Sequence, residues 1–184
     1  MRRRGARSTG FTILELAVVV VIIGMAASAV SVAWQAVIPR TKLNTAVRNL
    51  ASVLWDTRSE AIARNSEFEL HYQIDENRYW VVTPYRAGGV GGVASKNDER
   101  LFVSQHNLPE GVTIARVTID GIEYEDGEVF VRFTPLGNAS GHTVVFYQEI
   151  FERFYTIEVL ALTGLIRFHD DIFIREVPRE GDFN

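Results

Sequence analysis

A run of uncharged residues from Leu16 to Pro39, entered through the single carboxylate of Glu15, limits this chain more than any other feature. Four arginines (Arg2, Arg3, Arg4 and Arg7) come first, then Gly10-Phe11-Thr12-Ile13-Leu14-Glu15-Leu16. As a helix, about 24 residues rising ~1.5 Å each reach ~36 Å, enough to cross a bilayer. An acidic side chain at the centre of such a helix costs roughly 2.5–3.5 kcal/mol on insertion scales. A charge kept at that cost is usually there to meet a partner. Three plainer readings compete: a signal peptide cut near Ala27-Ser28-Ala29, a simple membrane anchor, and a buried core helix. None of them gives Glu15 a reason to stand at the mouth of the apolar run.

With Gly10-Phe11-Thr12 ahead of Glu15, the segment resembles the N-terminal signature of type IV pilins and of the pseudopilins of type II secretion. The resemblance implies that a prepilin peptidase cleaves between Gly10 and Phe11 and that Phe11 is then N-methylated. It also implies an assembly role for Phe11 and Glu15. On a helix, positions four apart share a face about one turn from each other. The new amine of one subunit could therefore approach Glu15 of a neighbour offset along the axis. That would pair two charges that are each costly in lipid.

The 184 residues suit one domain beyond an anchor, divided here as a leader over 1–10, a transmembrane and filament-core helix over 11–39, and a globular domain over 40–184. The basic leader predicts an N-terminus in the cytoplasm and a periplasmic C-terminal domain, with a single pass through the bacterial inner membrane. Losing four arginines from a net charge of −4 leaves the mature chain at about −8, a poor surface for nucleic acid. There are no cysteines, so neither disulfides nor a thiolate metal site can form, and the core alone must hold the domain.

Past Pro39, which should kink or loosen the helix, apolar residues recur at Leu43, Val47, Leu50, Leu54, Ala61 and Ile62. That spacing predicts an amphipathic helix ending at Asn65-Ser66. The period then changes to two: Phe68, Leu70, Tyr72 and Ile74 alternate with polar residues, as in a half-buried strand. Further strands are expected over 78–83, 100–104, 112–119, 129–134, 143–148, 154–161 and 164–168, with a last one near 172–177. Residues 84–98 read as a glycine-rich loop. One long helix followed only by antiparallel strands is an α+β layout, with the helix packed on β-sheet.

The C-terminal half carries a second resemblance. Phe133-Thr134-Pro135-Leu136-Gly137, Leu162-Thr163-Gly164-Leu165-Ile166-Arg167 and the helical Arg58-Ser59-Glu60-Ala61-Ile62-Ala63-Arg64 are similar to the H-type minor pseudopilin of type II secretion and to fimbrial minor pilins of the same domain family. Leu165 departs from the pattern, which often has a basic residue after the glycine.

Nothing in the sequence points to catalysis or a cofactor. His71, His106, His142 and His169 are scattered without the close spacing of a zinc site. His169-Asp170-Asp171 reads as a charged strand end. The acidic turn Glu123-Tyr124-Glu125-Asp126-Gly127-Glu128 lacks the ordered spacing of a calcium loop. Ser140 and His142 share a loop without a nucleophile elbow, and Gly88 to Gly92 lack the lysine of a phosphate loop. Most aromatic residues, from Tyr79 and Trp80 to Tyr155, alternate within strands and are expected in the core. Phe151 and Phe154 are candidates for an exposed patch.

The resemblance thus implies a structural subunit, a minor pseudopilin at or near the tip of a short filament that assists export of folded proteins. Its expected partners are other major and minor pseudopilins, the inner-membrane assembly platform, prepilin peptidase, membrane lipid before assembly, and exported proteins. The alternative is a minor pilin of a type IV pilus, serving assembly, adhesion or DNA uptake. Arg153, Arg167, Arg175 and Arg179 are interleaved with glutamates and aspartates, which argues against nucleic acid as a partner.

Overall fold

The computed structural model describes residues 12–87, 94 and 100–174, with the side chains of 29–40 and of Ser104 outside that description. The chain divides into two compact units, 1–40 and 41–184. Helix α1, Ile13–Ala63, continues through Pro39 as one helical element. In the second unit α1 buries Leu43, Ala46, Val47, Leu50, Val53, Leu54, Thr57 and Ala61, a stripe with the three-and-four spacing of one helix face. Ile62, expected inward, is 44% exposed. It lies 100° around the helix from Ala61 and so falls off the stripe. The helix ends as the sequence indicates. Asn65 takes φ +48°, with Ser66 N–H donating to Ala61 C=O and Asn65 N–H to Ile62 C=O. These two bonds close a Schellman turn.

Two antiparallel sheets pack with this helix. The first has the order β3-β2-β1-β6, from β1 (Phe68–Gln73), β2 (Arg78–Arg86), β3 (Arg100–Asn107) and β6 (Glu128–Phe133). The second has the order β5-β4-β7-β8-β9, from β4 (Val112–Ile119), β5 (Ile122–Tyr124), β7 (His142–Gln148), β8 (Arg153–Val159) and β9 (Ile166–His169). Phe68, Leu70, Tyr72 and Ile74 all point into the core, as their alternation requires. They meet Val131 and Phe133 from β6, Val144 and Phe146 from β7 and the stripe of α1 in one cluster.

Several boundaries differ from expectation for local reasons. Strand β2 runs on to Arg86, because its pairing with β3 shifts register after Val82 and so admits Pro84, which has no donor to offer. Strand β5 follows a two-residue turn, Asp120-Gly121, in which both residues have positive φ as a tight hairpin demands. The strand expected near 172–177 is not formed over 172–174, and 175–177 lie outside the described residues. Asp171 and Phe173 instead bond the side chain of Thr156 on β8. The Thr156 hydroxyl donates to Asp171 C=O at 2.7 Å and accepts from Phe173 N–H at 3.1 Å. The glycines at 88–92 also lie outside the described residues.

One polar contact joins the two sheets inside the core. Nδ1–H of His142 donates to Ser140 C=O at 2.8 Å, which leaves Nε2 to accept the Tyr72 hydroxyl at 3.0 Å. Burial holds His142 down to about 4 and raises Tyr72 well above the usual tyrosine range. The unfolded histidine titrates near 6.5, so the unfolded chain binds the extra proton between pH 6.5 and 4. Stability that is complete above pH 6.5 should therefore fall as pH drops, by about 3 kcal/mol at most. Urea unfolding of the wild type and His142→Gln across that range should show a steeper acid limb in the wild type. Parallel curves would mean that His142 charges without opening the core.

Candidate functional site

The N-terminus of α1 is built by its cap. Thr12 Oγ1 accepts the N–H of Glu15 at 3.2 Å, and Thr12 C=O accepts that of Leu16 at 3.1 Å. Thr12 is thus the N-cap, and Glu15 sits in the first turn, where a negative charge favours the helix dipole. Thr12-x-x-Glu15 has the spacing of a capping box, a second meaning of Thr12 beside its place in the N-terminal signature. Glu15 is exposed, and so is every apolar side chain described from Ile13 to Met25. A continuous apolar surface of that length needs lipid or neighbouring protein around it. Gly10 and Phe11, the expected processing site, lie outside the described residues. Among the described residues no helix segment is long and apolar enough to cross a membrane. Much of the apolar run, 29–39, is not described at the side-chain level.

The three segments that carry the second resemblance are far apart in sequence and meet at one point. From α1, Arg58 Nε–H donates to the carbonyl of Gly137 at 2.8 Å. Gly137 closes the turn between β6 and β7, where it has φ +84° and its N–H donates to Thr134 C=O. The Thr134 hydroxyl braces the same turn by donating to the Asn138 side chain. Gly164, at φ +60°, belongs to the turn between β8 and β9. A Cβ there would lie 2.7 Å from Arg58 Cδ and 2.8 Å from the Gly137 carbonyl oxygen. The two turns are joined directly by Ala139 N–H donating to Ala161 C=O. One arginine of the helix is therefore bonded to the turn that links the two sheets and packed against the turn between β8 and β9. Hydrogen bonds from a charged donor are stronger than neutral ones, which suits this one to hold the linking turn.

The other candidates separate. The outer face of the first sheet stacks Trp80, His71 and Phe130 across three strands, with ring centroids 5.6 and 5.2 Å apart, which corrects the expectation that Phe130 is core. Beside them Glu69 is buried, which alone would raise its pKa. Hydrogen bonds from Arg100, His71 and Arg132 outweigh that and hold it below the usual glutamate range. Arg116 binds Glu123 at 2.9 Å and Glu125 at 3.4 Å, drawing the acidic turn into ion pairs. His169 is paired with the buried Glu158 at 3.2 Å and stacks on Phe173, and His106 stacks on Tyr79. Among the described residues no three histidines or carboxylates are placed to hold a metal ion. Ser140 and His142 do not form a nucleophile pair, since the histidine bonds the serine's carbonyl while its hydroxyl accepts Arg132 N–H. Phe151 and Phe154 are half-buried, with Phe154 packed on Tyr147 at 4.9 Å.

A family model described as type II transport protein GspH matches residues 46–163. No curated protein matches the sequence. Two structures of the minor pseudopilin EpsH from the type 2 secretion system of Vibrio cholerae resemble the fold. One is 14% identical over 69% of this chain and 95% of the other, with a TM-score of 0.48. The second is 16% identical over 73% and 99%, with a TM-score of 0.49. The solution structure of Escherichia coli GspH is 8% identical over 70% and 88%, also with a TM-score of 0.49.

Proposed function

This chain belongs to the type II transport protein GspH family, and from that premise we propose that it works as a minor pseudopilin near the tip of the secretion pseudopilus. The observation that carries this reading is the family match itself, which spans α1 from Ala46, strands β1 to β8, and both Arg58 and Gly137 of the junction. The work of such a subunit is assembly, with no chemistry of its own. Phe11, freed by prepilin peptidase, supplies an amine, and Glu15 supplies the carboxylate that meets it on a neighbouring subunit. The exposed apolar helix serves as inner-membrane anchor before assembly and as filament core after it. Its N-terminus is cytoplasmic and its sheet-bearing domain periplasmic, where it touches other pseudopilins and the cargo they move. Supporting the Glu15 role is its place in a first helical turn that Thr12 caps, so that the carboxylate is held at the end of the helix rather than inside it.

Deleting the gene and comparing culture-supernatant proteins with surface pili, motility and transformation in one strain tests the reading. Lost export with normal pili and DNA uptake is the expected result. Intact export with failed motility, adhesion or transformation would instead place the subunit in a type IV pilus.

A further inference from the structure

On α1, Arg48, Ser52, Trp55 and Asp56 share one exposed face, which forms one wall of an open groove of about 340 Å³. The other wall is β9, through Ile166 and Phe168, alternate residues that lie on the same side of the strand. The apolar surface here is uncovered: Trp55 is 62% and Phe168 50% exposed. Strand β9 is also the last of its sheet, bonded to β8 along one edge and to no strand among the described residues along the other. An open edge of this kind is a template for a further strand.

The charges at the groove make no ion pair among the described residues, although Arg48 lies near enough to Tyr155 to act on its hydroxyl. Arg48 has no carboxylate partner among the described residues, and Asp56 has only the Ser52 hydroxyl, at 3.5 Å. The arginines of the first sheet contrast with this, since Arg78, Arg100 and Arg132 each hold a glutamate. Arg48 and Asp56 are eight residues apart, which places them ~12 Å apart along the helix. In an extended strand, residues i, i+2 and i+4 share a face and i to i+4 spans ~13 Å.

We infer that this groove receives an extended segment of a partner protein, added as a strand to the free edge of β9, with an acidic residue, a large apolar residue and a basic residue at alternate positions. The acid meets Arg48, the base meets Asp56, and the apolar side chain enters between Trp55 and Phe168. A helical partner would leave the backbone edge of β9 unused, whereas a strand uses edge, apolar wall and both charges together. The inference does not depend on Glu15 or on which filament the subunit joins.

A probe of this pattern can be copied from the chain itself, because Glu128, Phe130 and Arg132 alternate on the exposed face of β6. The capped peptide Gly-Glu-Val-Phe-Val-Arg-Gly would be titrated onto the full chain in detergent micelles and followed by amide NMR. Saturable shifts over Ile166–His169 and at the Trp55 indole are expected. The exposed charge exchange Arg48→Glu/Asp56→Arg should weaken binding roughly tenfold and regain it for the peptide with its own Glu and Arg exchanged. Equal affinity of both peptides for both proteins, shifts confined to other surfaces, or a helical bound peptide would overturn the inference. Self-association of the chain that Phe130→Ala abolishes would assign the groove to a second copy and overturn a foreign partner.

Discussion

Gly164→Ala should lower the stability of the globular unit by about 3 kcal/mol and its melting temperature by about 10 °C. Two costs combine in that figure. An alanine at φ +60° pays roughly 1–2 kcal/mol for the left-handed conformation, and forcing a methyl group into a packed site costs typically 1–3 kcal/mol more. For a chain of this size each kcal/mol moves the midpoint by roughly 2–4 °C. The added Cβ would stand 2.7 Å from Arg58 and 2.8 Å from the Gly137 carbonyl, so both the side chain and the turn that links the two sheets must give way. Arg58→Ala in the same chain removes the first obstruction and leaves the second. The double variant should therefore be more stable than the sum of the single losses indicates. Thermal melts of the full chain in micelles, followed by near-ultraviolet circular dichroism, would measure all three. A wild-type midpoint for Gly164→Ala would show that the turn moves aside freely and that the arginine junction is not a fixed point of the fold.

Glu15→Leu should leave membrane insertion intact, or favour it by less than the roughly 2.5–3.5 kcal/mol that an acidic residue costs at a helix centre, because Glu15 stands in the first turn. Assembly should nevertheless collapse, with cross-linking to other pseudopilins falling more than tenfold, since 1.4 kcal/mol already corresponds to a factor of ten. Thr12 still caps the helix in this variant through its own side chain, so a folding defect at the N-terminus is not expected to confuse the result. Membrane fractionation together with cross-linking separates the two effects. Undiminished cross-linking would remove Glu15 from the assembly mechanism.

The parts of this fold that repeat were legible from the sequence, and the parts that depend on distant neighbours were not. The buried stripe of α1 and the alternation over Phe68 to Ile74 follow from periods of 3.6 and 2, which a single strand or helix displays by itself. Asn65 and Asp120-Gly121 were readable because positive φ restricts which residues serve. The end of β2 was missed because Pro84 normally excludes a strand, and only a register shift against β3 admits it. The fate of Asp171 to Phe173 was missed for a similar reason, since it depends on the side chain of Thr156 in another strand. At the candidate site, the segments around Arg58, Gly137 and Gly164 stood out by resemblance. Why they go together appears only in three dimensions, where one guanidinium reaches two turns.

The uncovered apolar surface from Ile13 to Met25 has a kinetic consequence. Exposing such side chains to water costs roughly 1.5–3 kcal/mol each, tens of kcal/mol for the segment, far more than a subunit's own folding stability of about 5–15 kcal/mol. Lipid tails and the side chains of packed helices are about equally apolar, so passing from one to the other changes little. On the proposed function, a subunit would therefore move between bilayer and filament on a nearly level path, provided it never crosses a gap of solvent. Handover on that reading is continuous: each turn of the helix would leave lipid only as it enters contact with another helix.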